Sequence, residues 1–228
     1  MAKAAPTVAP PPDEATRDGR SSPQRGPQTR DAIHAAAIDL FAQRGYHATS
    51  MRAIAAEARI QPAAIYHWYE NKEAILVQLQ DEFMADLTER VTAAMDRHER
   101  PALRLAAAVR EHVVYHGLHT KAGFVTDSEI RALTDARRQA LVAKRDAYEA
   151  TFRDEILAGI ADGTLRSSNA DVATYAILLQ CTGVDLWFSP GGPLPLDEVA
   201  DIHIELVLGS VGASQELIAE AIERTAPR

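Results

Sequence analysis

Cysteine occurs once in the 228 residues, at Cys181. A lone thiol excludes an internal disulfide framework and a thiolate zinc site, and its apolar surroundings mark it as a small core residue. No stretch of 18 apolar residues is present, so no membrane span is expected. The N-terminus lacks the apolar region of a secretory signal, which points to the cytoplasm. Alternating apolar and polar positions, the mark of a half-buried strand, are also missing. No repeat of 20–50 residues is visible. Gly-rich phosphate loops, a Gly-x-Ser-x-Gly elbow and a Cys–His nucleophile arrangement are all lacking, so enzymatic activity is not expected. Nor is there a basic excess: 24 Lys and Arg against 32 Asp and Glu give a formal net charge of −8.

What charge there is divides unevenly. Residues 1–70 carry 8 basic and 7 acidic side chains, and residues 71–228 carry 16 and 25. An acidic body repels nucleic acid, so any contact with DNA has to come from the near-neutral front. Six of the 12 prolines fall in residues 1–27, where almost no large apolar residue accompanies them. That composition predicts a disordered tail over 1–27.

From Thr29 onward the periodicity is helical, predicting an all-α chain of nine or ten helices. Ile33, Ala36, Ala37, Leu40 and Phe41 share one helix face, and Gly45 ends that helix. Thr49 and Ser50 can cap a second helix, and Pro62 can open a short third one reaching Tyr69. Asn71 caps a long fourth helix reaching about His98. Further helices are predicted over 101–116, 127–133, 134–161, 170–188 and 196–223, with Gly117 and Gly123 read as a break. The domain division that follows is a tail over 1–27, a helix-turn-helix domain over 28–72 and an α-helical bundle over 73–228.

Two short helices joined by a tight turn near the N-terminus describe a helix-turn-helix. Ile54, Ala55, Ala58, Ile60 and Ile65 can pack its helices together. Small Ala63 and Ala64, after Pro62, allow close approach to base edges. Tyr66 and His67 stand one turn later, within reach of phosphate, and Lys72 stands at the start of the fourth helix, where an anion is favoured.

These residues resemble the TetR family of bacterial transcriptional regulators. The resemblance rests on Phe41-Ala42-x-x-Gly45-Tyr46, Thr49-Ser50-x-x-x-Ile54-Ala55 and Ile65-Tyr66-x-x-Tyr69-x-Asn71-Lys72-x-x-x-Leu76. It implies an N-terminal DNA-binding domain and a C-terminal domain that dimerises and binds a small effector. Carried onto this chain, it implies that Thr49 and Ser50 contact phosphate, that Arg52 reaches a base or a phosphate, and that Gln61, Pro62, Ala63 and Ala64 face the major groove. Tyr66, His67 and Lys72 would hold phosphates. Trp68 is read as core. Two departures stand out. Arg59 occupies the turn where the family usually has Gly, which demands a left-handed backbone. Gln61 replaces the usual small hydroxyl cap, but can bond a base edge.

Farther on, Leu186-Trp187-Phe188-Ser189-Pro190-Gly191-Gly192-Pro193-Leu194 and Gly159-x-x-x-Gly163 resemble an actinobacterial subgroup of these regulators that controls fatty-acid and steroid degradation and responds to acyl-CoA. The resemblance implies a repressor released by a hydrophobic or acyl-CoA-type effector, the alternative being an activator or a regulator of another hydrophobic, drug-like ligand. Expected effector contacts are Phe83, Tyr115, His116, Phe124, Tyr148, Phe152 and Trp187. The apolar segments 170–188 and 196–223 would pair with a second copy in a homodimer, matching a palindromic operator on double-stranded DNA. His112 and His116, at i and i+4 with His119 nearby, have a spacing that can hold metal. Without an acidic partner in the motif they are read as pocket or surface histidines, and no metal or other cofactor is expected.

Overall fold

The computed structural model describes residues 25–227, with side chains from residue 28 onward. The predicted tail therefore lies outside the described residues except for its last three, which open the first helix. All regular structure among the described residues is helical: α1 Arg25–Arg44, α2 Met51–Glu57, α3 Pro62–Trp68, α4 Lys72–Met95, α5 Pro101–Leu118, α6 Thr120–Ser128, a 3-10 turn Glu129–Ala132, α7 Asp135–Ala161, α8 Ala170–Thr182, α9 Val184–Trp187, α10 Leu196–Ser210 and α11 Gln215–Thr225. No helix among these residues is long and apolar enough to cross a membrane.

Local chemistry sets most boundaries. The side chains of Ser50, Asn71, Asn169 and Ser214 each accept a hydrogen bond from a first-turn amide of the helix they precede. Pro62 and Pro101 occupy the first turns of α3 and α5, where their missing N–H costs nothing. Gly45 ends α1 in the left-handed region, at φ +78°.

α5 is the axis of the body. Ala102, Ala106, Ala107 and Ala108 let neighbours approach closely, and Leu103, Leu105, Val109 and Val113 fill the gaps between them. It packs against α4, α7, α10 and α11. α7 contributes the stripe Leu141, Tyr148, Phe152 and Ile156. α4 runs from the three-helix front into this body, burying Ile75 and Leu76 at one end and Leu87, Val91 and Met95 at the other.

Three boundaries differ from the periodicity. The expected helix 196–223 divides because Gly212 adopts φ +70° and Ser214 caps a new helix. The backbone there is held by Arg166, whose N–H donates to Val211 O at 2.6 Å. The segment 170–188 is interrupted at Gly183, after which α9 adds one turn. Around 117–133 the break falls at His119, with α6 following, and Gly123 lies inside that helix. Gly117 and Gly123 serve close packing rather than chain reversal. A Cβ at Gly117 would lie 2.3 Å from Leu196 Cδ1, and one at Gly123 would lie 2.6 Å from Asp185 Oδ2.

Candidate nucleic-acid interface and effector core

The front of the molecule is built from its apolar side outward. Ile33, Ile54, Ala55 and Ile65 are fully buried, and Ala58 and Ile60 pack against them. With that face inward, α2 and α3 turn the opposite face to solvent. Arg52, Gln61, Pro62, Ala63, Tyr66 and His67 are exposed, Tyr66 by 56%. Ala64 is half-buried. Gln61 sits at the N-cap of α3, but its side chain makes no capping bond, so its amide remains available to a partner. Trp68, read as core, is partly exposed at the end of α3 and meets His67 edge-on.

Arg59 stands in the turn between α2 and α3 at φ +56°, the one positive φ outside glycine among the described residues. The conformation that the turn demands of a glycine is thus imposed on an arginine, at a cost of roughly 1 kcal/mol. The exposed Arg59 side chain adds a cation beside α3.

Two expected phosphate contacts are placed differently. Thr49 is buried, and its Oγ1 donates to Gly45 O at 2.9 Å and lies 3.3 Å from Leu40 O. Its hydroxyl closes the α1–α2 turn and faces away from solvent. Ser50 beside it is exposed and accepts from Ala53 N. Lys72 folds back: its Nζ donates to Tyr46 O at 2.5 Å and Thr49 O at 2.7 Å, and lies 4.0 Å from the centre of the Tyr46 ring. Partial burial holds the Lys72 ammonium below its usual range. Lys72 therefore ties α4 to the α1–α2 turn. Sequence spacing located it correctly at the helix start, but the carbonyls it serves lie more than twenty residues away.

In the body, five of the seven expected effector residues converge. Phe83 meets Tyr115 at 5.0 Å and His116 at 5.3 Å between ring centres, and Tyr148 meets Phe152 at 5.4 Å. All five are buried. His112, set aside in the sequence reading, joins the two groups. It stacks on His116 at 4.5 Å, its Nδ1 pairs with Tyr148 Oη at 2.7 Å, and its Nε2 pairs with Thr182 Oγ1 at 3.1 Å. Burial, reinforced by His116 and His203, holds His112 well below the usual imidazole range, so it is neutral. Burial likewise keeps the Tyr148 and Tyr115 phenols protonated. With both ring nitrogens engaged, His112 does not pair with His116 on one metal.

Phe124 and Trp187 are not brought into this cluster. Phe124 is 38% exposed on α6, and Trp187 is 56% exposed and stacks on His203 of α10. Both sit on helices whose inward faces are taken by smaller residues: Gly123 and Val125 on α6, Val184 on α9. Beside the cluster, Asp81, Met84, Ala85, Thr88, Lys144 and Tyr148 line a cleft of about 480 Å³ between α4 and α7.

The outer face of α8–α10 is apolar where solvent would favour polar groups. Leu179 is 78% and Leu186 71% exposed, accompanied by Val172, Tyr175, Ile202 and Leu206. The C-terminal helix α11 adds nothing to this face, since its outward residues are polar.

Front and body are tied by a short set of polar contacts. Tyr46 N donates to Glu129 Oε1 at 3.1 Å, Lys121 pairs with Asp39 at 2.5 Å, and His34 lies 3.0 Å from Glu82.

Comparison with known proteins agrees with this geometry. Residues 33–79 match the family described as bacterial regulatory proteins, tetR family, and residues 98–211 match the tetracyclin repressor-like C-terminal domain. The HTH-type transcriptional repressor KstR2 of Mycolicibacterium smegmatis is 27% identical over 197 residues, covering 85% of this chain and 96% of its own. A tetR-family regulatory protein from Rhodococcus RHA1 superposes with a TM-score of 0.78 at 28% identity, over 82% of this chain and 98% of its own. AibR, solved in complex with isovaleryl coenzyme A and operator DNA, superposes with a TM-score of 0.73 at 26% identity, over 82% of this chain and all of its own. The two domain matches lie on either side of the α4–α5 junction, in the order in which the helix-turn-helix front and the helical body were built up, and the chain belongs to the TetR family of DNA-binding transcriptional regulators.

Proposed function

We propose that this regulator is a repressor that grips a palindromic operator as a homodimer and is released by a hydrophobic thioester of the acyl-CoA class. The observation that carries the DNA-binding half is the outward face of α2–α3. Arg52, Gln61, Pro62, Ala63, Tyr66 and His67 stand together in solvent on a pair of helices braced from behind by a fully apolar layer. In this reading Gln61 and Ala63 meet base edges, Arg52 reads a base or holds a phosphate, and Ser50, Tyr66 and His67 set register on the backbone. The DNA-binding domain is 28–72 and the effector and dimerisation domain 73–228, with α4 shared mechanically between them.

Dimerisation is supported by the α8–α10 face. A patch of leucine, tyrosine, valine and isoleucine in water is unfavourable, and a two-fold copy of the same patch covers it. Two recognition helices about 34–36 Å apart then meet successive major grooves.

The acyl-CoA assignment is supported by the names of the similar proteins and by the core. The cleft between α4 and α7 has an apolar wall at Met84, Ala85 and Ala147, suited to an acyl chain, and its one cation, Lys144, is paired with Asp81 at 2.6 Å. Filling it displaces α4 against α7. Because α4 begins at Lys72, which holds the α1–α2 turn through two carbonyls, such a displacement moves the recognition helices. An effector of this kind changes operator affinity by its differential binding to the two arrangements, typically 1–3 kcal/mol.

Band-shift titration on the DNA upstream of the protein's own reading frame tests the proposal. Medium-chain acyl-CoA is expected to weaken binding about 5- to 150-fold, while free coenzyme A and the free acid leave it unchanged. Saturating acyl-CoA with no change in operator affinity would overturn the effector assignment.

A further inference from the structure

Behind the aromatic stack, three helices bring polar atoms together without pairing them. His116 on α5, Asp127 near the end of α6 and Asp185 on α9 each offer one donor atom, and these atoms lie within 4.8 Å of one another. The side chains of His116 and Asp185 are each 3% exposed. Their facing atoms, Nδ1 and Oδ2, stand 3.5 Å apart, too far for a normal hydrogen bond. Neither atom has a hydrogen-bond partner among the described residues. Asp127 accepts from Arg145 through Oδ1 at 2.8 Å, but its Oδ2 is buried and equally without a partner.

Two carboxylates, Asp127 and Asp185, share one guanidinium, that of Arg145, and one imidazole, that of His116. Buried carboxylates persist when they are paired or when they coordinate metal. The chain also keeps the space between the donors clear. At Gly123, one turn before Asp127 on α6, a Cβ would lie 2.6 Å from Asp185 Oδ2 and 3.0 Å from His116 Nδ1. A glycine in mid-helix weakens the helix, and here its role is to leave room at the meeting point of the three donors.

We propose that His116, Asp127 and Asp185 bind one divalent transition-metal ion of the zinc class. One imidazole nitrogen with two carboxylate oxygens suits zinc, cobalt(II) or manganese(II). It does not suit calcium or magnesium, which take oxygen-only shells, or the soft ions that take thiolates. Ligands around a tetrahedral ion with bonds of about 2.0–2.2 Å lie about 3.4 Å apart; His116 Nδ1 and Asp185 Oδ2 already stand 3.5 Å apart, so it is chiefly Asp127 that closes on binding. The fourth position is left for water or for a donor atom of a small molecule. The ion would fasten α6 and α9 to α5, and α6 in turn packs against α1. The site takes His116 from the aromatic core but shares neither the α2–α3 face nor His112, and it does not depend on the acyl-CoA reading.

The test uses the full chain, stripped with a chelator and then titrated with cobalt(II) under visible absorption and with zinc by calorimetry. One ion per chain is expected, with ligand-field bands that zinc displaces and a melting temperature raised by zinc. Asp185→Asn should weaken zinc binding by more than the roughly 10–100-fold that loss of an outer-shell partner costs. Gly123→Ala keeps every ligand and favours the helix, so it should lose the ion while circular dichroism stays unchanged; this variant decides the matter if Asp185→Asn does not fold. His119→Gln, on the neighbouring exposed imidazole, should leave uptake intact. Failure of the unmodified chain to take up either ion, uptake undiminished in both Asp185→Asn and Gly123→Ala, or loss of uptake in His119→Gln would each overturn the site.

Discussion

The α2–α3 face and the α8–α10 face are both exposed, and only the second breaks the usual surface pattern. On α2–α3 the outward residues are small or hydrogen-bonding, and every large aliphatic side chain points inward. On α8–α10 leucines, a tyrosine and a tryptophan point outward while Thr174, Cys181 and His203 point inward. The contrast fits the two kinds of partner proposed. A duplex offers charged phosphates and polar base edges and rewards groups that hydrogen-bond at close range. A second copy of the same chain offers apolar surface and rewards its removal from water, at about 25 cal/mol per Å².

The largest expected effect breaks the apolar face. Leu179→Glu places a charge where the patch is most exposed, and the loss of a central interface contact of about 2–4 kcal/mol raises the dimer dissociation constant roughly 30- to 1000-fold. Sedimentation equilibrium should show the monomer at concentrations where the parent is dimeric. An unchanged mass would mean that this face does not pair.

Next comes the polar face, and here Lys72 sharpens the comparison. Arg52→Ala and Tyr66→Ala should each weaken operator binding by about 1–3 kcal/mol with little effect on thermal stability. Lys72→Met should do the reverse. It leaves two backbone carbonyls without their donor and lowers the melting temperature, while the salt dependence of DNA binding keeps its slope. A slope reduced by about 1 would identify Lys72 as a phosphate contact and undo the assignment made from its geometry.

A smaller effect concerns pH. Burial lowers the pKa of His34, His98 and His112 relative to an unfolded imidazole at 6.5. Below pH 6.5 the unfolded chain takes up protons that the folded chain refuses, so this stability is fully present above 6.5 and declines as the pH falls. For His112, the most buried, the slope approaches about 1.4 kcal/mol per pH unit. Urea midpoints at pH 7.5 and 5.5 should fall accordingly in the parent and fall less in His112→Asn. Equal slopes in the two proteins would show that His112 already carries its proton when folded.

The smallest effect is at the turn. Arg59→Gly should stabilise the fold by up to about 1 kcal/mol by removing the left-handed arginine, read from the urea midpoint. Any loss of operator affinity that accompanies it measures what the arginine cation contributes to DNA.

Much of this was legible in the chain before any coordinates. Ser50, Pro62, Asn71 and Asn169 announce helix starts through chemistry confined to one turn. The need for a left-handed residue at Arg59 follows from the resemblance to the family, which usually has Gly there. The inward set Ile54, Ala55 and Ile65 follows from the 3.6-residue period. The outward set Arg52, Gln61, Tyr66 and His67 is its complement. The same reading failed wherever a partner outside the residue's own helix decides. Thr49 and Lys72 have the right chemistry for phosphate, yet their donors are spent on carbonyls of the α1–α2 region. Gly117 and Gly123 carry the composition of a break, but their missing side chains answer to Leu196 and Asp185. Phe124 and Trp187 are aromatic like Phe83 and Phe152, and face the other way.

Periodicity, caps and turn residues act over one or two helical turns, and from them alone the all-helical class, the order of the elements and the recognition motif follow. Which donors remain free, which aromatics share a core and why Asp127 and Asp185 meet His116 are questions of contact between different helices. Those contacts come into being only when α5 is wrapped by its neighbours, because close packing rather than local preference chooses who faces whom.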